Sequence, residues 1–245
     1  MAITVGGTPT TWTTSVTNTG PGTDFTHTVT SGTTFLYLVV SMEADFALTV
    51  APSWNGSETM SLVTSTSTSG ASGDVRQYIY GLVNPTATTA NITWTQESND
   101  NGHGTAINYL GSISSSVADA TNFIDQTVNN VAATTVDLAS GGTAGATLIA
   151  SAVFFGGDGE PATNGEGFSD RANSATGGSS VADLSFYVAD LIGGAPSGCV
   201  VDWTGTASDE CAGLLIELLP EPSGPVVFLP YHSKASLRRN TLLRM

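Results

Sequence analysis

Chemistry at neutral pH needs acids, bases, nucleophiles or metal ligands at a workable spacing, and this 245-residue chain offers few. Its three histidines, His27, His103 and His232, stand far apart, and none has a second histidine at metal-ligand spacing. His27 reads as a solvated position in a Thr-His-Thr strand, and His103 as part of a turn over 99–104. Neither a Gly-x4-Gly-Lys-Ser/Thr phosphate loop nor a Gly-x-Ser-x-Gly elbow occurs, and the only lysine is Lys234. A Ser-His-Asp triad assembles only in space, and a Ser- and Asp-rich chain offers many chance matches. The densest carboxylate set is Asp158, Glu160, Glu166 and Asp170 in a Gly-rich loop. Paired carboxylates can cleave glycosidic bonds, and hard oxygens can hold calcium. The loop lacks the alternation of an EF-hand, so a plain polar loop is the leading reading. Cys199 and Cys211 are read as two buried thiols or as a bridge across a hairpin, and both readings stay open. No catalytic residue, metal ligand or cofactor is assigned.

Binding chemistry has better candidates. Trp12, Trp54, Trp94 and Trp203 could stack on sugar faces. Trp94 and Trp203 lie in alternating strands and read as core. Trp54, in a Pro-Ser-Trp-Asn-Gly turn, is the candidate glycan contact. The charge distribution points elsewhere. All 21 acidic residues fall within 1–222 against Arg76 and Arg171, a formal charge of −19. Residues 223–245 carry Lys234, Arg238, Arg239 and Arg244 with no acid, a charge of +4. The body therefore repels nucleic acid and anionic membrane, and the arm suits an acidic surface. A stiff linker over 221–225 leads into the arm. Val226, Val227, Phe228 and Leu229 follow as a short extended segment, closed by Pro230 and Tyr231. Such a strand can add to a neighbour's sheet edge. Leu237, Leu242 and Leu243 make no clean helical stripe. The arm reads as irregular until a partner orders it, with the basic residues Arg238, Arg239 and Arg244 among the contacts.

The elements that hold these residues are strands. Charged residues make up 11% of the chain against a usual ~25%, and Thr, Ser and Gly take their place. Threonine's branched Cβ suits a pleated sheet. Strands are expected over 2–5, 11–17, 25–29, 35–42, 62–63, 75–82, 91–96, 106–113, 147–155, 184–191, 200–204 and 212–219. Residues 35–40 are apolar on both faces, the mark of a strand covered on both sides. No apolar run nears the ~20 residues that span a bilayer, and the N-terminus lacks the pattern of a signal peptide. The second half repeats the first in outline. Trp94 and Trp203 stand 109 residues apart, each after a Gly/Pro turn and before an apolar strand. An internal duplication over about 30–115 and 145–220 explains this, and so does reuse of similar hairpins. The fold class is all-β, an antiparallel sandwich over 1–222 with an extended arm over 223–245.

The run Phe35-Leu36-Tyr37-Leu38-Val39-Val40-Ser41, then Trp54-Asn55-Gly56, then Tyr78-Ile79-Tyr80-Gly81-Leu82-Val83-Asn84-Pro85 before a Thr-rich strand, resembles a jelly-roll-like module of bacteriophage structural proteins. The resemblance covers roughly 30–220. It implies a virion structural protein, a capsid decoration or cement protein assembled in the host cytoplasm. It also implies that the arm binds the major capsid protein or another virion protein. A homo-oligomer, a trimer by analogy, and no enzymatic activity belong to the same expectation. The alternatives are a tail-fibre or adhesin-type glycan-binding module, and a glycan-cleaving sandwich using the carboxylates of 158–170.

Overall fold

The computed structural model describes residues 2–14, 23–43, 48–69, 74–96, 102–140, 142–155, 167–175, 184–193 and 199–222. Antiparallel strands dominate these residues. The first half holds β1 (Thr4–Thr14), β2 (Thr23–Thr28), β3 (Phe35–Glu43), β4 (Leu48–Trp54), β5 (Glu58–Thr59), β6 (Ser61–Ser67), β7 (Val75–Val83), β8 (Thr89–Gln96) and β9 (Gly102–Leu110). After one short helix, α1 (Val117–Ala120), come β10 (Thr121–Ser140), β11 (Thr147–Phe155), β12 (Ser169–Ala175), β13 (Leu184–Leu191) and β14 (Cys199–Leu218). Three sheets result, ordered β2-β8-β4-β5, β1-β9-β3-β7-β6 and β10-β14-β11-β13-β12.

The two-sided apolar pattern of β3 explains the stacking. Leu36, Leu38 and Val40 face the β2-β8-β4-β5 sheet, where Trp54, Ile92 and Trp94 complete a core. Phe35, Tyr37 and Val39 face the other way, onto Ile149, Phe186, Val188, Leu214 and Ile216 of the third sheet. The sequence expectation of a strand covered on both sides holds for β3.

The third sheet also needs an outer cover, because Leu148, Ala150 and Ala152 point away from the second sheet and are fully buried. The long strands β10 and β14, twenty residues each, supply it. The first part of β10 pairs with the last part of β14 inside the sheet, and the register breaks around Ala133. Beyond that break the β10–β14 ribbon turns back over the sheet. Asn129 Nδ2 donates to Thr135 O at 3.0 Å, Ala139 N donates to Asp125 Oδ2 at 2.9 Å, and the Thr127 hydroxyl donates to Asp137 O. Val136 and Leu138 then pack over Gly213, where a Cβ would sit 2.3 Å from Val136 Cγ1. The body is thus four layers with three apolar seams.

The second and third sheets follow one plan. Across the second, a single row reads Trp12, Gly104, Val40, Tyr78, Ser65. Across the third, the equivalent row reads Thr127, Gly213, Ala152, Tyr187, Asn173. The edge strands carry a bulge at the same place, between Leu62 and Thr64 in β6 and between Asp170 and Ala172 in β12. The spacing from Gly104 to Gly213 and from Tyr78 to Tyr187 is the 109 residues that separate the tryptophans. Contacts between the two sheets come in exchanged pairs, β9 with β13 and β7 with β14, β1 with β12 and β6 with β10. That exchange is the signature of an approximate two-fold axis. β1 and β10, which precede residues 30 and 145, occupy equivalent places in their sheets. The strands β4 and β5 have no counterpart among the described residues of the second half.

Candidate functional site

The arm candidates Val226, Val227, Phe228, Leu229, Tyr231, Leu237, Arg238, Arg239, Leu242, Leu243 and Arg244 all lie outside the described residues. Their point of departure is well fixed. Ile113 N donates to Leu219 O at 2.9 Å, and Glu221 N donates to Gly111 O at 2.8 Å. Glu221 Oε1 accepts from both Ser114 N and Ser114 Oγ at 3.0 Å. The chain is therefore pinned to the loop before α1 until the last described residue, Pro222.

Trp54 corrects a sequence expectation. It ends β4 rather than standing on a turn, is 0% exposed, and donates its indole N–H to Thr86 O at 3.0 Å. A ring with no exposed face and a satisfied nitrogen offers nothing to a sugar. Trp94 is buried in the same core as expected, its ring meeting Trp12 edge-on at 5.2 Å.

Two histidines are also corrected, because both are core residues. His27 lies between the first two sheets, with Nδ1 2.9 Å from Thr10 Oγ1 and Nε2 3.0 Å from Asn108 Oδ1. Asn108 Nδ2 donates to Gly6 O and Thr28 O, so its Oδ1 is the acceptor. The His27 proton therefore sits on Nε2, and Nδ1 accepts from Thr10. Burial holds this imidazole below its ordinary pKa, with the Asn108 hydrogen bond opposing. His103 belongs to β9, not to a turn, and stacks on Phe186 with centroids 5.4 Å apart and planes at 17°. Burial pushes it down to about 4, against an opposing hydrogen bond to the Leu184 backbone. Their neighbours hide such positions: His27 lies between threonines, which occupy buried and exposed faces alike, and His103 between glycines that read as a turn.

The carboxylate loop falls outside the described residues except for Asp170, which stands exposed on β12. Among the described residues no cluster of His, Cys, Asp and Glu could hold a metal ion. Cys211 is buried as a thiol, with Asn129 Nδ2 3.3 Å from its sulfur. Sequence reasoning missed Asp190, a carboxylate inside the apolar strand β13. It is buried between the second and third sheets, paired with Arg171 at 2.7 Å and accepting from Tyr109 Oη at 2.9 Å. Burial first, and then the Asp190 charge, push the Tyr109 phenol well above its ordinary range. Gln77 joins the same layers, donating to Ser41 Oγ and accepting from Ser151 Oγ. These groups are enclosed and tie layer to layer, which is structural work.

The surface feature that remains is a seam between two open sheet edges, β6 and β10. Leu62 and Phe123 stand about half exposed beside Val63 and Val117, around a groove of about 430 Å³. Further along the same seam the lining turns polar, with Ser65, Thr66, Arg76, Tyr78 and Gln126 around about 440 Å³. Arg76 lies over the Tyr78 ring there, 5.9 Å from its centroid. Comparison with protein-family models, curated proteins and solved structures finds no match to this chain.

Proposed function

We propose that this chain is a virion structural protein of the capsid decoration or cement type, a rigid β body held to its particle by the C-terminal arm. The observation that carries the reading is the contrast across Pro222. Before it stands a body of charge −19 with its last residues pinned; after it come 23 residues with aliphatic and basic side chains and no acid. The polar groups of the body support a scaffold over an enzyme, because His27, His103, Asp190 and Gln77 are enclosed between layers. The orders β1-β9-β3-β7 and β2-β8-β4-β5 support the jelly-roll reading, a wrap common in viral shells and lectins. Fold alone does not fix function, so the arm carries the argument.

Each aliphatic residue of the arm contributes ~1.5–3 kcal/mol if fully covered. Ordering the arm costs ~1–2 kcal/mol per residue. The net per copy is small, and repeated contacts on a symmetric lattice supply the strength. The test is co-sedimentation with the assembled particles of the source. The full chain is expected to pellet and a chain ending at Pro222 to stay in solution. Equal binding by the truncated chain overturns the proposal.

A further inference from the structure

We infer that the apolar groove between β6 and β10 is the seat for residues 226–229 of a second copy of this chain. The inference rests on the reading of the arm as a docking element and adds where part of that element lands. The groove lies between open edges, since β6 and β10 each end their sheet. Leu62 is 52% exposed and Phe123 49%, beside Val63 and Val117. Open edges with apolar side chains invite an added strand. The occupant has matching chemistry: Val226, Val227, Phe228 and Leu229 are uncharged, β-prone and closed by Pro230. An extended segment of four spans ~13 Å, which suits a short groove. The groove lining carries no charged side chain, which suits an uncharged segment, and beyond it the −19 of the body favours the +4 of a second copy's arm.

The point of exit says whose arm it is. Glu221 is held by Ser114, two residues before Ser116 at the rim of the groove. Groove and exit therefore share one end of the molecule. Two copies facing each other about a two-fold axis exchange arms symmetrically and close the assembly. Glu221 precedes Pro222, which biases its backbone to an extended conformation where the chain leaves the body.

The test uses the full chain in analytical ultracentrifugation, without particles. Wild type is expected to associate reversibly. Phe123→Asp in the groove and Phe228→Asp in the arm each weaken association by about ten-fold or more. Val50→Asp, at a 55% exposed position on β4, leaves it unchanged. The decisive arm is a mixture. Phe123→Asp keeps a competent arm and Phe228→Asp a competent groove, so mixing them recovers association. Leu62→Asp replaces Phe123→Asp if melting curves show that variant misfolded. A wild type that stays monomeric to roughly 100 µM, variants that associate normally, or a mixture that fails to recover overturns the inference. A chain that is monomeric yet pellets with particles through its arm removes this inference and leaves the proposed function standing. A chain that exchanges arms but never pellets does the reverse.

Discussion

His103 lies flat against Phe186 in the seam between the two halves, fully buried and kept neutral by its surroundings. The unfolded ring takes up a proton as pH falls through about 6.5, while the folded ring resists until about 4. In that window the unfolded state binds more protons, so stability is lost as pH falls. The full difference is roughly 3 kcal/mol for His103 alone, reached near pH 4. His27 adds to the same trend, its pKa also lowered by burial. Chemical denaturation between pH 7 and 4 is expected to show this loss, and His103→Phe is expected to remove most of it. An unchanged pH profile in that variant sinks the argument. Asp190 is buried and ion-paired with Arg171. Arg171→Leu leaves that charge uncompensated and is expected to cost ~3–5 kcal/mol. Tyr109→Phe removes only a hydrogen bond and is expected to cost ~1–3 kcal/mol. Urea midpoints rank the two, and equal effects contradict the assignment of charge to Asp190.

At the scale of elements, Gly104 and Gly213 occupy equivalent rows, yet their surroundings differ. A Cβ on Gly104 would sit 3.5 Å from Trp94, an ordinary contact, whereas one on Gly213 would sit 2.3 Å from Val136 Cγ1. Gly213→Ala is therefore expected to lift the folded-back ribbon and cost ~1–3 kcal/mol, with Gly104→Ala much milder. Thermal melts of the two variants decide it, and similar losses would mean that the ribbon does not press on the sheet. This ribbon was not legible in the sequence. Residues 121–140 lack a turn signal strong enough to mark a strand that changes layers. What was legible follows from local pattern: β3 is apolar on both faces, and β7, β11 and β13 lie close to their expected spans, whereas β9 starts four residues before its expected start at 106. The 109-residue spacing of the tryptophans recurs between Gly104 and Gly213 and between Tyr78 and Tyr187, which stand in equivalent rows. Trp54 and the two histidines were misjudged because a polar neighbourhood in sequence says nothing about which sheet closes over it. Asn84 shows the local limit well: its φ of 49° and its bond to Ser114 O, 2.9 Å from Nδ2, end β7 where a Asn-Pro turn was expected.

For the whole molecule, the decisive fact is that neither half can close alone. Removing the second half would bare Phe35, Tyr37, Val39, Ile107 and Tyr109, all fully buried in the intact body. At ~25 cal/mol per Å² of apolar surface, such a face is a strong drive to associate. The enclosed pairs His103–Phe186 and Tyr109–Asp190 cross the same seam, so the halves also share their polar ties. The full chain is therefore expected to melt in a single calorimetric transition, with van't Hoff and calorimetric enthalpies equal. A chain of residues 1–115 is expected to self-associate or precipitate instead of remaining a monomer. Two separate transitions, or a soluble monomeric half, would mean that the seam is a loose contact between independent units. Every described layer is complete by Pro222. At concentrations too low for copies to associate, deleting residues 223–245 is accordingly expected to shift Tm by no more than about 2 °C. The same deletion abolishes particle binding if the proposed function holds, which separates the energy that folds the body from the energy that places it.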